Sequence, residues 1–270
     1  MIATYRIQLT PDFGFDAARE QLDYLAELGI SHLYLSPVTE ARSGSEHGYD
    51  VIDHNRLRSD YGGEDAFERL REAAVEKGLT LVLDFVPNHA YVGPHNEQWQ
   101  DVLAYGPHSA YADHFDIDWS PLKEELQDKI LLPFLGDTYG EVLDENEVGL
   151  TYRDGRFWAR YYENQFALCP ATYHRILAEA LEVFEETEPY WALKDLHESF
   201  ASLEREAREK AETLCSRLEQ VVEPIDLEPV FDRFTREKLH GLLERQFWRL
   251  SFWKTAGDEV NYRRFFDIND

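Results

Sequence analysis

Gly78-Leu79-Thr80-Leu81-Val82-Leu83 runs directly into Asp84-Phe85-Val86-Pro87-Asn88-His89. The first half is a short, unbroken apolar run that follows a glycine and a helix-like segment, the pattern of a buried parallel strand. The second half delivers an acid, an amide and an imidazole within six residues. Pro87 cannot continue a ladder and turns the chain outward. In a (β/α) barrel the C-terminal rim of the strands is where chemistry is carried, so this one stretch predicts a fold, a face of that fold and a polar site.

Working outward, residues 31–36 form a second apolar run that ends at Ser36-Pro37, and residues 4–9 alternate around Tyr5, Ile7 and Leu9 as a first strand. Between them Asp16 is placed to cap a helix with Ala18, Leu22, Leu25 and Leu28 at helical spacing, and Gly29 stands where helices end. Gly44 to Tyr61 reads as a long loop. Gly62-Gly63-Glu64-Asp65 opens a helix with Phe67, Leu70, Ala73 and Ala74 on one side, and Gly78 stops it. Strand, helix, strand, helix, strand with short returns predicts parallel pairing. That rhythm breaks over residues 90–235. Residues 172–187 and 190–222 read as acidic amphipathic helices, with Leu196, Phe200, Leu203, Leu214 and Leu218 as buried candidates. Pro224 to Pro229 interrupts them, and a helix over 236–256 follows, with Leu239, Leu242, Leu243, Phe247, Leu250 and Phe252 on its apolar side.

The whole chain narrows the function classes. It has 270 residues, 43% hydrophobic, enough for a sizeable core. Its 53 acidic residues against 27 basic ones give a net charge of −26, and only seven of the basic residues are lysines. A surface this negative repels nucleic acid and anionic membrane. The acid is spread through amphipathic segments, which predicts a solvated surface suited to high salt and a halophilic source. Cys169 and Cys215 form no motif and read as reduced thiols. No secretory leader or membrane span is expected, so the predicted location is cytoplasmic.

The apolar strand at 33–38, the loop Gly44-Ser45-Glu46-His47-Gly48-Tyr49-Asp50-Val51-Ile52-Asp53 and the strand end at 84–89 together resemble the α-amylase superfamily. Within it, Thr4-Tyr5-Arg6-Ile7-Gln8-Leu9, Ser31-His32-Leu33-Tyr34-Leu35-Ser36-Pro37, Phe115-Asp116-Ile117-Asp118-Trp119 and Asn261-Tyr262-Arg263-Arg264-Phe265-Phe266-Asp267 resemble the maltooligosyltrehalose synthase family. The resemblance implies an α/β fold: the N-terminal part of a (β/α)8 TIM barrel, three strand–helix units over 1–90. A large, mostly helical insertion lobe (domain B) occupies 91–235, and 236–270 returns toward a fourth barrel strand. It implies conversion of the reducing-end α-1,4 bond of a maltooligosaccharide into an α,α-1,1 bond, by intramolecular transfer, on the route to trehalose.

By the same resemblance Tyr49 stacks its ring on a sugar, whose C–H face suits an aromatic with a polar tip, and His89 holds a sugar hydroxyl. Without the motif, a tyrosine packed under a loop and a satisfied structural histidine are the plainer readings. Asn88 is a calcium ligand in many amylases through its hard side-chain oxygen, but the other ligands cannot be picked out, so no cofactor or metal is assigned. Asp50 and Asp53 hold the Tyr49 loop or reach a hydroxyl, and a solvated loop carboxylate is an equally plain reading of either. Asp84 orients an arginine behind the chemistry. Arg263 and Arg264 pair with Asp84 or Asp267, or face the sugar; structural ion pairs are the plainer reading.

Retaining glycosidases need two carboxylates about 5–5.5 Å apart. The family places its nucleophile, acid/base and third carboxylate after the fourth, fifth and seventh strands, so no catalytic residue is expected within this chain, which ends at Asp270 before the fourth strand. Three strands do not close a barrel of eight, and an open sheet of three is expected to leave a bare edge and an uncovered apolar face. The expected partners are a maltooligosaccharide and a separate chain that carries the remainder of the enzyme; alone, the chain is expected to be inactive. The alternatives are another α-glucan hydrolase of the superfamily or a non-catalytic glucan-binding module.

Overall fold

Two glycines fix the helix–strand returns of the N-terminal half. Gly29 and Gly78 both adopt left-handed backbone, φ +84° and +70°, where a glycine carries no Cβ penalty. In each case the next amide reaches back five residues, the bond that closes a helix end: Ile30 N donates to Leu25 O at 3.1 Å and Leu79 N to Ala74 O at 2.8 Å. The chain turns sharply at both points and enters a strand. In the computed structural model, residues 2–185, 189–257 and 259–263 are described. They fall into two compact units, Met1–Asn96 and Glu97–Asp270.

The first unit runs β1 (Thr4–Ile7), α1 (Phe15–Glu20), α2 (Leu22–Glu27), β2 (His32–Leu35), β3 (Thr39–Ala41), β4 (Val51–Leu57), α3 (Gly63–Glu76) and β5 (Thr80–Leu83). Its main sheet has the order β1-β2-β5, all parallel, with Arg6 beside Tyr34 and Tyr34 beside Val82. Ile7, Leu33 and Leu35 pack with Phe15, Ala18, Leu22 and Leu25 of the first helices and Leu70 and Ala74 of α3. Each buried leucine contributes about 1.5–3 kcal/mol relative to exposure. The three-strand rhythm agrees with the sequence reading, and so do most core positions, but Leu28 at the end of the first helical stretch is 55% exposed and Tyr5 45%.

Four local expectations fail here. Gly14, not Asp16, is the helix N-cap; Asp16 instead takes a hydrogen bond from Arg69 Nη2 of α3 at 2.6 Å. The expected single helix breaks at Gln21 into α1 and α2. The loop from Gly44 to Tyr61 contains β4, antiparallel to β3 with an irregular register; its Val-Ile-Asp-His-Asn-Arg-Leu sequence has too little alternation to declare itself. The third strand, expected over 79–86, ends at Leu83 and is not buried throughout: among the described residues β5 pairs with β2 alone, Leu83 stays 42% exposed, and Phe85 beyond it is 59% exposed. The bare edge is therefore present. The uncovered apolar face is not: the rows outside the core, Thr4–His32–Thr80 and Arg6–Tyr34–Val82, contain one aliphatic residue.

The second unit runs α4 (Glu97–Tyr105), β6 (Ile130–Leu135), α5 (Tyr139–Asp144), β7 (Val148–Arg153), β8 (Arg156–Tyr161), β9 (Asn164–Ala167), α6 (His174–Val183), α7 (Tyr190–Ala201), α8 (Arg208–Val222), α9 (Glu228–Phe231), α10 (Arg236–Leu243) and β10 (Trp248–Phe252). Strands β7-β8-β9 form an antiparallel meander. Its first turn is Asp154-Gly155, both at positive φ, the preference of a two-residue hairpin. The regular structure of 91–235 is mostly helical, with β6 and the meander set among the helices. Leu196, Phe200, Leu203, Leu214 and Leu218 are buried as expected, but 190–222 breaks between α7 and α8: Leu196 and Phe200 lie on α7, Leu214 and Leu218 on α8, and Leu203 in the connection.

The helix predicted over 236–256 stops at Leu243. Gln246, fully buried, donates to Leu242 O at 2.7 Å and accepts from Cys169 N at 2.7 Å, which ties the helix end to another segment. Trp248–Phe252 then pairs parallel with β6. The apolar spacing that suggested a helix also fits alternation through Trp248 and Leu250, and an available strand partner decides it. Two motifs quoted above meet in this unit. Ile117 bridges Tyr262, Asp118 N donates to Asn261 O at 2.7 Å, and Arg263 N donates to Asp116 O at 2.9 Å.

Candidate functional site

The parallel register sets the site. Asp84 N donates to Leu35 O at 3.0 Å, so the ladder continues one residue past β5 and leaves the Asp84 side chain at the C-terminal end of the sheet. Arg6 and Tyr34 are paired neighbours on the face away from the core. The Arg6 guanidinium lies 5.7 Å from the centre of the Tyr34 ring.

The Tyr49 loop is delivered to this rim by a buried arginine. Arg58 is 0% exposed; its Nη1 donates to Tyr61 Oη at 2.8 Å and its Nη2 to Ser45 O, and its guanidinium lies 4.4 Å from the Tyr61 ring centre. Ser45 in turn donates through Oγ to Asp50 and accepts from Gly48 N at 3.1 Å. Arg42 Nε closes the other side of Asp50 at 3.0 Å. Burial works against the Asp50 charge, but the Ser45 and Arg42 hydrogen bonds outweigh it and hold the carboxyl below its ordinary value. Gly48 sits at φ +79°, and a Cβ there would lie 3.1 Å from Pro37 O.

Tyr49 emerges from this support 37% exposed. Its hydroxyl donates to Asp84 Oδ2 at 2.5 Å and receives Arg6 Nη2 at 3.4 Å. Arg6 Nη1 also donates to Gln8 Oε1 at 2.9 Å. The hydrogen bond to Asp84 favours the protonated phenol, so Tyr49 is raised above its ordinary value, and Tyr34 is raised for the same reason. His89 Nε2 donates to Tyr49 O at 3.0 Å, and its Nδ1 lies 3.1 Å from Asn88 Oδ1. With Nε2 carrying the proton, a neutral ring accepts at Nδ1, which the Asn88 amide satisfies when its NH2 end faces the ring.

The structure therefore brings Tyr49, Asp84, His89 and Asn88 together. Asp50 belongs to the loop support, with one oxygen on Ser45 and the other on Arg42. Asp53, on β4, accepts from Asn55 N at 2.8 Å and lies outside the group. Asp84 meets two tyrosines, Tyr49 and Tyr34. Arg263 pairs with Asp116 at 3.1 Å in the second unit, and Arg264 lies outside the described residues. Arg6, Tyr34 and Arg58 were not singled out from the sequence. A signal existed for the first two, which are out of phase with Ile7, Leu33 and Leu35 on their strands. Arg58 had none, since nothing local distinguishes it from a solvated arginine.

Among the described residues no three His, Cys, Asp or Glu side chains are grouped to hold a metal, and the Asn88 amide is engaged with His89. The calcium option gains no donor set, and no step is derived through an ion. No described helix is long and apolar enough to cross a membrane.

Residues 15–164 match the model of the alpha amylase catalytic domain. A Mycobacterium tuberculosis protein provisionally named maltooligosyl trehalose synthase is 48% identical over 144 residues, covering 50% of this chain and 18% of the relative. A crystal structure of a maltooligosyl trehalose synthase aligns over 99% of this chain and 27% of its own, at 30% identity and TM-score 0.67. The maltooligosyltrehalose synthase of Arthrobacter ramosus aligns over 100% of this chain and 26% of its own, at 31% identity and TM-score 0.65. This chain thus spans less than a third of the length of each, and its likeness to these synthases extends through both units. The chain belongs to the α-amylase catalytic-domain family.

Proposed function

We propose that this chain forms the sugar-holding part of an enzyme of the maltooligosyltrehalose synthase type, which turns the reducing-end α-1,4 bond of a maltooligosaccharide into an α,α-1,1 bond. The observation that carries it is the convergence of Tyr49, Asp84 and His89 at the C-terminal end of the parallel sheet, in a chain whose structure aligns with such synthases along its whole length. In this reading the first unit is the opening three strand–helix units of a barrel. The second is the insertion lobe with its approach to a fourth strand.

Tyr49 offers its ring to the C–H face of a glucose unit. His89 reaches a sugar hydroxyl through Nδ1, exchanging its contact with Asn88, while Nε2 keeps the Tyr49 carbonyl in place. Asp84 fixes the tyrosine tip. These groups bind and orient; the carboxylates that make and break bonds are assigned to a part of the barrel beyond these strands. The working protein is expected inside a salt-rich cell.

The test is co-expression of this chain with the part of the Arthrobacter ramosus synthase that lies beyond the matched quarter, assayed with maltopentaose in molar salt. Loss of reducing ends without release of glucose is the expected result. New reducing ends would make the chain part of a hydrolase. Absence of turnover together with saturable binding to this chain alone would leave a glucan-binding module, and absence of both would overturn the reading.

A further inference from the structure

The Tyr49 hydroxyl is spoken for on both sides. It donates its one proton to Asp84 Oδ2 at 2.5 Å and accepts the long 3.4 Å contact from Arg6 Nη2. A tyrosine saturated in this way has only its ring to offer a ligand. Arg6 and Asp84 have opposite charges and form no direct ion pair within 4.0 Å; the phenol bridges them. Arg6 is itself held, by Gln8 Oε1 at 2.9 Å and over the Tyr34 ring at 5.7 Å. Its fork is therefore aimed rather than free to sweep.

We propose that Arg6 is a positioning residue for the sugar site: it acts through the Tyr49 hydroxyl to fix the tilt of the tyrosine ring, and touches no sugar itself. This rests on the sugar-holding reading above. The physical reason is that Asp84 alone leaves the phenol free to pivot about one hydrogen bond, whereas a donor on one side and an acceptor on the other define the direction of the C–O bond and with it the ring plane. A stacking platform fixed before the ligand arrives loses less freedom on binding.

The test is a double-mutant cycle on the 270-residue chain in molar salt, with maltopentaose as the probe, titrated calorimetrically. Arg6→Met and Tyr49→Phe are measured singly and together, and the Tyr49 ring is followed by NMR with ring-labelled tyrosine. A residue that works through the hydroxyl has nothing to act on once the hydroxyl is gone. Arg6→Met is therefore expected to weaken binding about tenfold in the native background and less than twofold in the Tyr49→Phe background. Equal losses in both would mean that Arg6 meets the sugar directly, which overturns the proposal. If the unaltered chain alone binds no maltopentaose, the sugar-holding reading is decided by the co-expression test above. The ring resonances of the free chain then decide the positioning role: averaging of the Tyr49 signals in Arg6→Met upholds it, and unchanged signals overturn it. Arg6→Lys, which keeps the charge and loses the fork, replaces Arg6→Met should that variant fold poorly.

Discussion

Removing Arg58 should cost the first unit about 3–4 kcal/mol and release the Tyr49 loop. The side chain is fully buried and donates two hydrogen bonds, to Tyr61 Oη at 2.8 Å and to Ser45 O. Hydrogen bonds from a charged donor contribute about 1.5–3 kcal/mol each, and the guanidinium against the Tyr61 ring at 4.4 Å adds about 2 kcal/mol where water is excluded. Against this stands the penalty of burying the charge: Arg58 Nε has no partner, and the carboxylate beside it, Asp60, is 3.6 Å away and 41% exposed. Partial cancellation brings the sum of about 5–8 kcal/mol down to the range seen when one member of a buried charged contact is deleted, about 3–5 kcal/mol. Arg58→Met fills the volume without the charge and should cost only about 1–2 kcal/mol, because isosteric replacement of a buried charge is often near neutral. The assay is native-state hydrogen exchange of the first unit's core amides, Leu33 and Leu35, in molar salt. At a factor of ten for each 1.4 kcal/mol, Arg58→Ala should speed their exchange at least roughly 100-fold, and the Gly48 amide should lose its protection. Exchange within about threefold of the unaltered chain, with Gly48 still protected, would refute the view that Arg58 supports this loop.

Gly48→Ala should destabilise the first unit by about 1–2 kcal/mol, since φ +79° is left-handed and the new Cβ would crowd Pro37 O at 3.1 Å; unfolding in urea reads the change. Asp50 has a folded value below its unfolded value near 3.8, so its contribution is fully present above that pH and is lost as pH falls through the lower folded value. An Asp50→Asn variant should show a shallower acid loss of stability below about pH 4, measured by acid titration of the circular dichroism, and an identical profile would count against the loop pairing. With a net charge of −26, raising salt from 0.1 to 1 M shortens the screening length from about 10 to about 3 Å and should raise the melting temperature. A melting temperature independent of salt would count against the halophilic reading.

The parts of the fold that were legible are those where one apolar period and one stop signal coincide. Ile7, Leu33 and Leu35 face the helices, Gly29 and Gly78 terminate them, and both facts can be read in windows of ten residues. β4 and β10 were not legible for opposite reasons. β4 is too polar to alternate visibly and exists because β3 offers it an edge. The Phe247–Phe252 segment has apolar positions compatible with either period, and becomes a strand because β6 lies beside it. Within the site, Tyr49 and His89 could be named from a motif, but not what they touch. The Asp50 carboxylate was open between a hydroxyl and the loop until Ser45 and Arg42 were seen on its two oxygens. Arg6 was not legible because an arginine alternating with Tyr5, Ile7 and Leu9 looks like a solvent-facing strand residue, whereas here the second face of the sheet carries a polar cluster.

That polar face explains why the site sits where it does. In a parallel strand one set of alternate residues is committed to the helices, and the other set is free to carry chemistry at no cost to the core. Arg6 and Tyr34 use that freedom on β1 and β2, and Asp84 continues it one step past β5. The loop supplies what the strands cannot, a ring projecting over the rim, and Arg58 holds it from beneath through Ser45 while Asp84 and Arg6 hold its tip. Backbone and hydroxyl are thus fixed by different elements, β1, β5 and the residue just after β4. Such preorganisation costs binding energy nowhere in the ligand's path. It also means that a change at either support should alter sugar affinity without altering any atom that faces the sugar, so affinity lost at Arg58 and at Arg6 should be recovered by neither a longer nor a shorter maltooligosaccharide.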